Sequence, residues 1–407
     1  MTQRVVPFFR PAITETEVES VVSCLRSGWL TTGPCTKEFE AQFAEYLGVK
    51  HAIALNSCTA ALHLALDAIG VRRGDLVLVP SMTFAATAEV VRYFDAIPVF
   101  VDCDEQTLCM DPDALADTLE ALRAERPVAG LKPPFGAVKA IVPVHYGGQM
   151  VDVSRIRALA RAHGLLVSED AAHTLPAHYR TGPDAPWQLV GTTADISCFS
   201  FYANKCITTG EGGMAVTDDD AWAARMRTMS LHGMSRDAWR RFMGGGTWSY
   251  EIVAPGFKYN MTDVAASLGV VQLARAEELW AERKRVAGQY LEGLRDVAAI
   301  DPPAELPDRK HAWHLFAIKL KLACLKIDRA EFIAQMHAQG VAASVHWLPL
   351  HMQPYYRELY GYDPEQFPVA ARVWPRLVSL PIFPGITPGE VQQVIEVVRS
   401  VAHENGA

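Results

Sequence analysis

The sequence has no run of about 18 consecutive apolar residues, so it offers no candidate membrane span. It has no block of basic residues and no Arg-rich helix. Its formal net charge of −8 is spread along the chain, which speaks against nucleic acid as a partner. The eight cysteines, at positions 24, 35, 58, 103, 109, 198, 206 and 324, include no CxxC pair. Such scatter fits a reduced cytoplasmic protein better than a disulfide scaffold or a zinc site. The opening segment MTQRVVPFFRPAITETE lacks the apolar h-region of a signal peptide and meets Pro7 and Pro11 early. Internal repeats and low-complexity linkers are also missing. The Gly-rich GEGG at 210–213 is neither a G-x-G-x-x-G fingerprint nor a P-loop.

What is present is hydrophobic: half of the 407 residues, enough for a large core or for one large and one smaller domain. Up to about residue 260, short apolar runs alternate with amphipathic segments. The runs HAIALN, GDLVLVP, PVFVDCD, KAIVPVHYGG, LLVSEDAAH, ISCFSFY and GMAVTD read as strands. Between them, CTKEFEAQFAEYLG, SCTAALHLALDAIG, TAEVVRYFDA, DPDALADTLEALRAE and DVSRIRALARAHG read as helices. Strands apolar on both faces, alternating with helices, predict an α/β fold: a doubly wound, mostly parallel sheet covered by helices on both faces. After about residue 265 the texture changes. Residues 264–294 predict one long helix or two in succession, HAWHLFAIKL and VAASVHW predict strands, and DRAEFIAQMHAQG and the capped TPGEVQQVIEVVRSV predict helices. The expected division is a large α/β domain over 1–265 and a smaller α+β domain over 266–407.

Ligands of open α/β sheets sit at the C-terminal ends of the strands, so the residues just past each strand carry the functional argument. Past HAIAL, Ser57 can cap a helix whose first N–H groups favour an anion, phosphate above all. Taken alone, this is more often an ordinary N-cap. Past LLVSE stands Asp170, a buried carboxylate in need of a cation. A structural ion pair would satisfy it equally, whereas a metal held by Glu169, Asp170 and His173 lacks a second ligand cluster, so no metal is expected. Past ISCFSFY stands Lys205, the one charged residue between Ile196 and Gly210. A desolvated lysine has a lowered pKa, and its neutral amine attacks carbonyls. Together these are the three handles of pyridoxal 5′-phosphate (PLP): donors for the phosphate, an anion for the ring nitrogen and a lysine for the aldehyde. Phe84, after LVLVP, is placed to lie on the ring face or to pack in the core.

In order along nearly the whole chain, SGWLTTGP, NSCTAALHLAL, VPSMTFAAT, PVFVD, VPVHYGGQ, EDAAH, CFSFYANK with GEGGMAVT, and PGFKYNMTD resemble the DegT/DnrJ/EryC1/StrS family of sugar aminotransferases, PLP enzymes of fold type I. EDAAH, PGFKYNMTD, HAWHLF and VHWLPLHMQPYYRE resemble most the branch that aminates C4 of nucleotide-linked keto sugars, the UDP-4-amino-4-deoxy-L-arabinose aminotransferases. The resemblance implies that Lys205 forms the Schiff base (the internal aldimine), Asp170 faces the pyridine nitrogen and His173 lies near the phenolic oxygen. It implies that Phe84 stacks on the ring and that Thr59 and Ser200, with Cys58 in the same turn, contact the phosphate. Asn260 is expected to reach the phosphate in the neighbouring subunit, which makes the protein a homodimer with shared active sites. His346, Thr31 and Thr32 are expected near the substrate.

Two departures stand out. Cys58 replaces a common Gly, and RTGPDAPWQLVG is long for its place and is expected to reshape the substrate entrance. The implied reaction takes an amino group from L-glutamate to a keto sugar, at C4 of a hexose or pentose. The alternatives are amination at C3 or of a cyclitol or antibiotic precursor, and a non-catalytic sugar-nucleotide-binding regulator. A sugar dehydratase on the same scaffold would carry His where this chain has Lys205.

Overall fold

A computed structural model describes residues 5–234 and 251–407, so the first four residues of the opening segment and residues 235–250 lie outside the description. Seven strands form the main sheet: β1 (His51–Leu55), β2 (Leu76–Pro80), β3 (Ile97–Val101), β4 (Val138–Ile141), β5 (Leu166–Asp170), β6 (Ile196–Ser200) and β7 (Gly213–Thr217). Their order is β1-β7-β6-β5-β4-β2-β3. β2 runs parallel to β3 and β4, β4 to β5, and β5 to β6. Only β7 is antiparallel, paired with β1 on one side and β6 on the other. β2 and β7 are buried along their whole length, which is why they read as unbroken apolar runs. Helices α1 (Glu15–Ser27), α2 (Pro34–Leu47), α3 (Cys58–Ile69), α4 (Ala86–Arg92), α5 (Pro112–Arg123), α6 (Val153–His163) and α7 (Asp220–Met229) complete the expected α/β architecture. α3 is buried from Ala60 to Asp67, so it carries apolar residues nearly all round.

Residues 264–294 resolve into two helices, α8 (Asp263–Ala274) and α9 (Ala276–Gly293), broken at Arg275. A three-stranded antiparallel sheet follows, β8 (Ile300–Asp301), β9 (Phe316–Leu320) and β10 (Leu377–Leu380), with β9 in the middle. Helices α10 (Arg329–Ala338), α11 (Pro354–Tyr360), α12 (Pro368–Val373) and α13 (Pro388–Glu404) accompany it. α13 begins with the Thr387/Glu390 capping box that its sequence announces. Two apolar clusters result. One surrounds the main sheet and takes in Tyr356, Phe367 and Val373; the other gathers Tyr290, Trp313, Phe332, Phe383 and Val398 around the small sheet.

Two predicted strands are corrected. HAWHLFAIKL is a strand only from Phe316 onward. Before it, Ala312 and Leu315 donate their N–H groups to the carbonyls of Gly148 and Gly147, at 2.9 and 3.0 Å. Gly148 has φ +106°, and a Cβ there would lie 2.9 Å from that of Ala312. VAASVHW forms no strand and touches its neighbours through single bridges, Val341 to Val6 and Ser344 to Ser379. Both segments leave the ladder for one reason: they carry His314, His346 and Trp347 to the same cleft.

Candidate active site

The cleft holds about 280 Å³ at the ends of β1, β2, β5 and β6. Its first wall is the start of α3. Ser57 is extended and its Oγ accepts from the Ala60 N–H at 3.1 Å, while Cys58 and Thr59 line the cleft in the first turn. β7 passes so close that a Cβ on Gly213 would sit 2.4 Å from the Ser57 carbonyl carbon. Only glycine lets the strand hold the helix start there. Burial pushes the Cys58 thiol well above its usual range, and its Sγ donates to the Cys198 carbonyl at 3.6 Å. It is a neutral thiol, so the departure from Gly introduces no charge against an anion.

The second wall is the end of β5. Asp170 is buried, yet each carboxylate oxygen has a donor: Thr87 Oγ1 to Oδ2 at 2.8 Å and the Ala172 N–H to Oδ1 at 3.1 Å. Thr87 Oγ1 lies 2.8 Å from Thr83 Oγ1, so a chain of two hydroxyls backs the carboxylate. Burial raises the Asp170 pKa, against the pull of Thr87, Ala172 and the Lys205 charge. A ring cation would reverse that rise. Glu169 faces the other side of the sheet, as strand alternation requires. There it accepts from Thr193 Oγ1 at 2.5 Å and Ser197 Oγ at 2.8 Å. Glu169 and Asp170 therefore do not converge, and among the described residues no group of three His, Cys, Asp or Glu could hold a metal.

His173 is sandwiched between Trp347, stacked at 5.1 Å, and His314, tilted at 4.4 Å. The Gly147 N–H donates to its Nδ1 at 3.1 Å. That bond assigns the ring proton to Nε2. Burial holds His173 well below the usual histidine pKa, so the ring is a neutral donor at Nε2.

Lys205 sits in the turn past β6, with its N–H on the Tyr202 carbonyl at 2.9 Å and its side chain partly buried in the cleft. Burial lowers its pKa, and the nearby Asp170 opposes that shift. The two phenylalanines just before Lys205 in the chain turn away from the amine. Phe199 and Phe201 are fully buried against Phe43, both at 5.2 to 5.6 Å, and belong to the main core. Residues 199 and 201 share the strand face opposite Ser200, and Ser200 is the one that lines the cleft.

Phe84 lines the cleft mouth, 56% exposed, its ring 6.0 Å from that of Trp347. His346 lines it too, with Nδ1 2.8 Å from Ser379 Oγ. Burial lowers the His346 pKa to about 4, so this ring is also neutral. Three expected residues do not line the cleft. Asn260 bridges Leu55 at the end of β1 and donates from Nδ2 to Thr32 Oγ1 at 2.7 Å, and Thr32 in turn donates to the Met261 carbonyl. Thr31 accepts the Asp263 N–H at 3.2 Å in the same buttress. The long stretch 180–191 contributes nothing to the cleft lining. Within it Gln188–Leu189 pair with His178–Tyr179, which pair in turn with Arg309–Lys310, and the cations of Arg180 and Lys310 lie 4.6 and 4.7 Å from the centre of the Trp187 ring. Sequence reasoning missed Thr83, Thr87, His314 and Trp347. The i, i+4 spacing of the two threonines and the aromatic next to His346 were the available signals.

Comparison with known proteins agrees with this chemistry. A family model described as the DegT/DnrJ/EryC1/StrS aminotransferase family matches residues 11–399. The spore coat polysaccharide biosynthesis protein SpsC of Bacillus subtilis is 40% identical over 397 residues, 97% of each chain. The uncharacterized protein MJ1066 of Methanocaldococcus jannaschii is 42% identical over 98% of each chain. Among solved structures, Spr1654 of Streptococcus pneumoniae, described as a sugar aminotransferase and solved in PLP and PMP forms, matches with a TM-score of 0.86. It is 32% identical and is aligned over 98% of this chain and 98 to 99% of its own. The chain belongs to the DegT/DnrJ/EryC1/StrS aminotransferase family and is a PLP-dependent sugar aminotransferase.

Proposed function

We propose that this member of the family transfers the amino group of L-glutamate to C4 of a nucleotide-linked 4-keto-hexose or 4-keto-pentose, leaving 2-oxoglutarate. The observation that carries the reading is the convergence of Lys205, Asp170 and the start of α3 on one cleft, with His346 and Trp347 lining it. These residues fit PLP. The free N–H groups of the first turn of α3, with the hydroxyls of Thr59 and Ser200, suit its phosphate. Asp170, buried with only neutral donors bonded to it, suits the cationic ring nitrogen. Lys205 suits the aldehyde, and Phe84 the ring face.

PLP, when bound, supplies the carbonyl that takes up the amino group and the electron sink for the donor's α-carbon. The side chains do the rest. With PLP bound, Lys205 Nζ would carry the proton taken from the donor α-carbon. Asp170 would hold the proton on the ring nitrogen. His173, fixed by Gly147 and flanked by Trp347 and His314, would offer its Nε2–H to the phenolic oxygen. His346, anchored on Ser379, would face the sugar. The test is a spectrum and an assay. Purified protein should show a visible band that borohydride removes and L-glutamate bleaches. Mass spectrometry over UDP-, TDP- and GDP-linked 3- and 4-keto sugars should then find the amino product with a 4-keto substrate. A band that glutamate leaves untouched would make the protein a passive binder, and turnover of 3-keto sugars alone would overturn the C4 assignment.

Gly213→Ala is expected to weaken PLP affinity about tenfold, roughly 1.4 kcal/mol, because the new Cβ displaces the Ser57 carbonyl and the helix start with it. Fluorescence titration of the apoenzyme with PLP measures this.

Asn260, Thr31 and Thr32 form a buttress outside their own cleft. In a homodimer with shared sites they serve the second copy. Mixing Lys205→Ala with Asn260→Ala subunits is then expected to restore activity beyond that of either variant alone. Mixtures no better than the separate variants would refute the sharing.

A further inference from the structure

Beneath the lysine turn lies a charge that the mechanism above does not use. Arg283, in the second turn of α9, is 3% exposed. Its guanidinium bonds only to backbone carbonyls. Nη1 donates to Ile382 at 2.9 Å and Trp313 at 3.5 Å; Nη2 donates to Lys205 at 3.3 Å and Asn204 at 3.4 Å. Nε has no partner at all. Among the described residues no carboxylate lies within ion-pair distance of it. A buried cation is costly unless it is paired, and carbonyl dipoles are the weakest way to pair it. Its four acceptors lie in three separate segments: the lysine turn, the loop that carries His314, and the chain just after β10.

We propose that Arg283 is a positioning residue for Lys205: a permanent cation sealed under the turn, which fixes the lysine's backbone from below and disfavours a second positive charge on its amine. The proposal rests on Lys205 being the PLP lysine and adds to that reading the question of what tunes it. Arginine suits the task because it stays charged when buried, where a lysine would lose its proton. The other groups facing the amine act in both directions. Asp170, past β5, favours the ammonium, while burial keeps Cys58 on α3 and Cys206 in the turn as neutral thiols. His173, His314 and His346 line the same cleft as neutral rings, and Tyr202 and Glu211 stand at its wall. Burial and Arg283 work together against Asp170, and they leave the Lys205 pKa below the ordinary lysine value.

The test begins with wild-type holoenzyme. Borohydride reduction and peptide mapping must place the cofactor on Lys205; label elsewhere sinks the functional reading itself. With the label on Lys205, the pH midpoint of the visible band is compared among wild type, Arg283→Gln, Arg283→Met and Arg283→Lys. The two neutral variants are expected to raise the midpoint by about one unit, the low end for loss of a nearby like charge. Arg283→Lys is expected to stay closer to wild type than either. An unmoved midpoint in a folded neutral variant overturns the proposal. A second measurement needs no variant: acetylation of Lys205 in wild-type apoenzyme, followed by mass spectrometry across pH. Its midpoint is expected clearly below about 10.4, the ordinary lysine value, and an ordinary midpoint overturns the proposal as well.

Discussion

Lys205→Ala is expected to abolish turnover while the protein still binds PLP. In the proposed reaction two jobs meet at one atom: Nζ is the nucleophile toward the aldehyde and the carrier of the proton from the donor. Lys205 is the only amine among the cleft-lining residues described, so no neighbour can take over either job. Loss of a positioned proton carrier alone costs about a hundred- to ten-thousandfold, and loss of the covalent route adds to it. Binding survives because the phosphate site at the start of α3, Ser200 and Asp170 do not depend on the amine. The expected protein holds cofactor that dialysis removes and shows no band sensitive to borohydride. Its single-turnover mixture with L-glutamate, followed by mass spectrometry, shows no 2-oxoglutarate above background. Substantial transamination by this variant would refute the assignment of Lys205.

Asp170→Asn is the second large effect, and it separates charge from shape. The amide fills the same space and can still accept from Thr87, so the pocket is kept. It cannot hold a proton on the ring nitrogen by charge, so charge developing at the donor α-carbon loses its stabilisation. Removing one preorganised electrostatic partner of a transition state costs about a hundred- to a thousandfold, and the half-reaction with L-glutamate should slow by that order. PLP should still bind and still be reduced onto Lys205. Stopped-flow absorbance of the glutamate half-reaction measures the loss, and a near-normal rate would remove Asp170 from its role.

Much of this site was legible in the residues because chemistry marked it. A lone cation in an apolar run, an acid at the end of an apolar strand and a capped helix start are each unusual in a buried place, and each is a local pattern. The main sheet was legible for a related reason: its strands are mostly buried and read as largely apolar runs. What escaped was set by residues far apart in the chain. Thr83 and Thr87 are ordinary helix-start residues until Asp170 arrives beside them. His314 and Trp347 fall in segments that predict strands, but those segments leave the ladder to reach the cleft. Phe199 and Phe201 show the converse: they are near Lys205 in sequence, but the period of two along β6 sends them into the core with Phe39 and Phe43. Arg283 gave no local signal, because nothing in the sequence of α9 shows that its head lies under the lysine turn.

The antiparallel strand β7 has a consequence for how the protein is made. In chain order it is the last strand of the main sheet, yet it lies inside that sheet, between β1 and β6. Until it inserts, the helix start at Ser57 and the turn at Lys205 have no common frame, and His314 and His346 are supplied later still. Pairings of such long sequence separation form slowly. A cofactor that needs the whole site would bind finished chains, and mass action would then protect them: at a hundred times its dissociation constant, a ligand specific for the native state adds about 2.7 kcal/mol. Vitamin supply during synthesis would thus govern how much of the enzyme accumulates, as well as how much of it works.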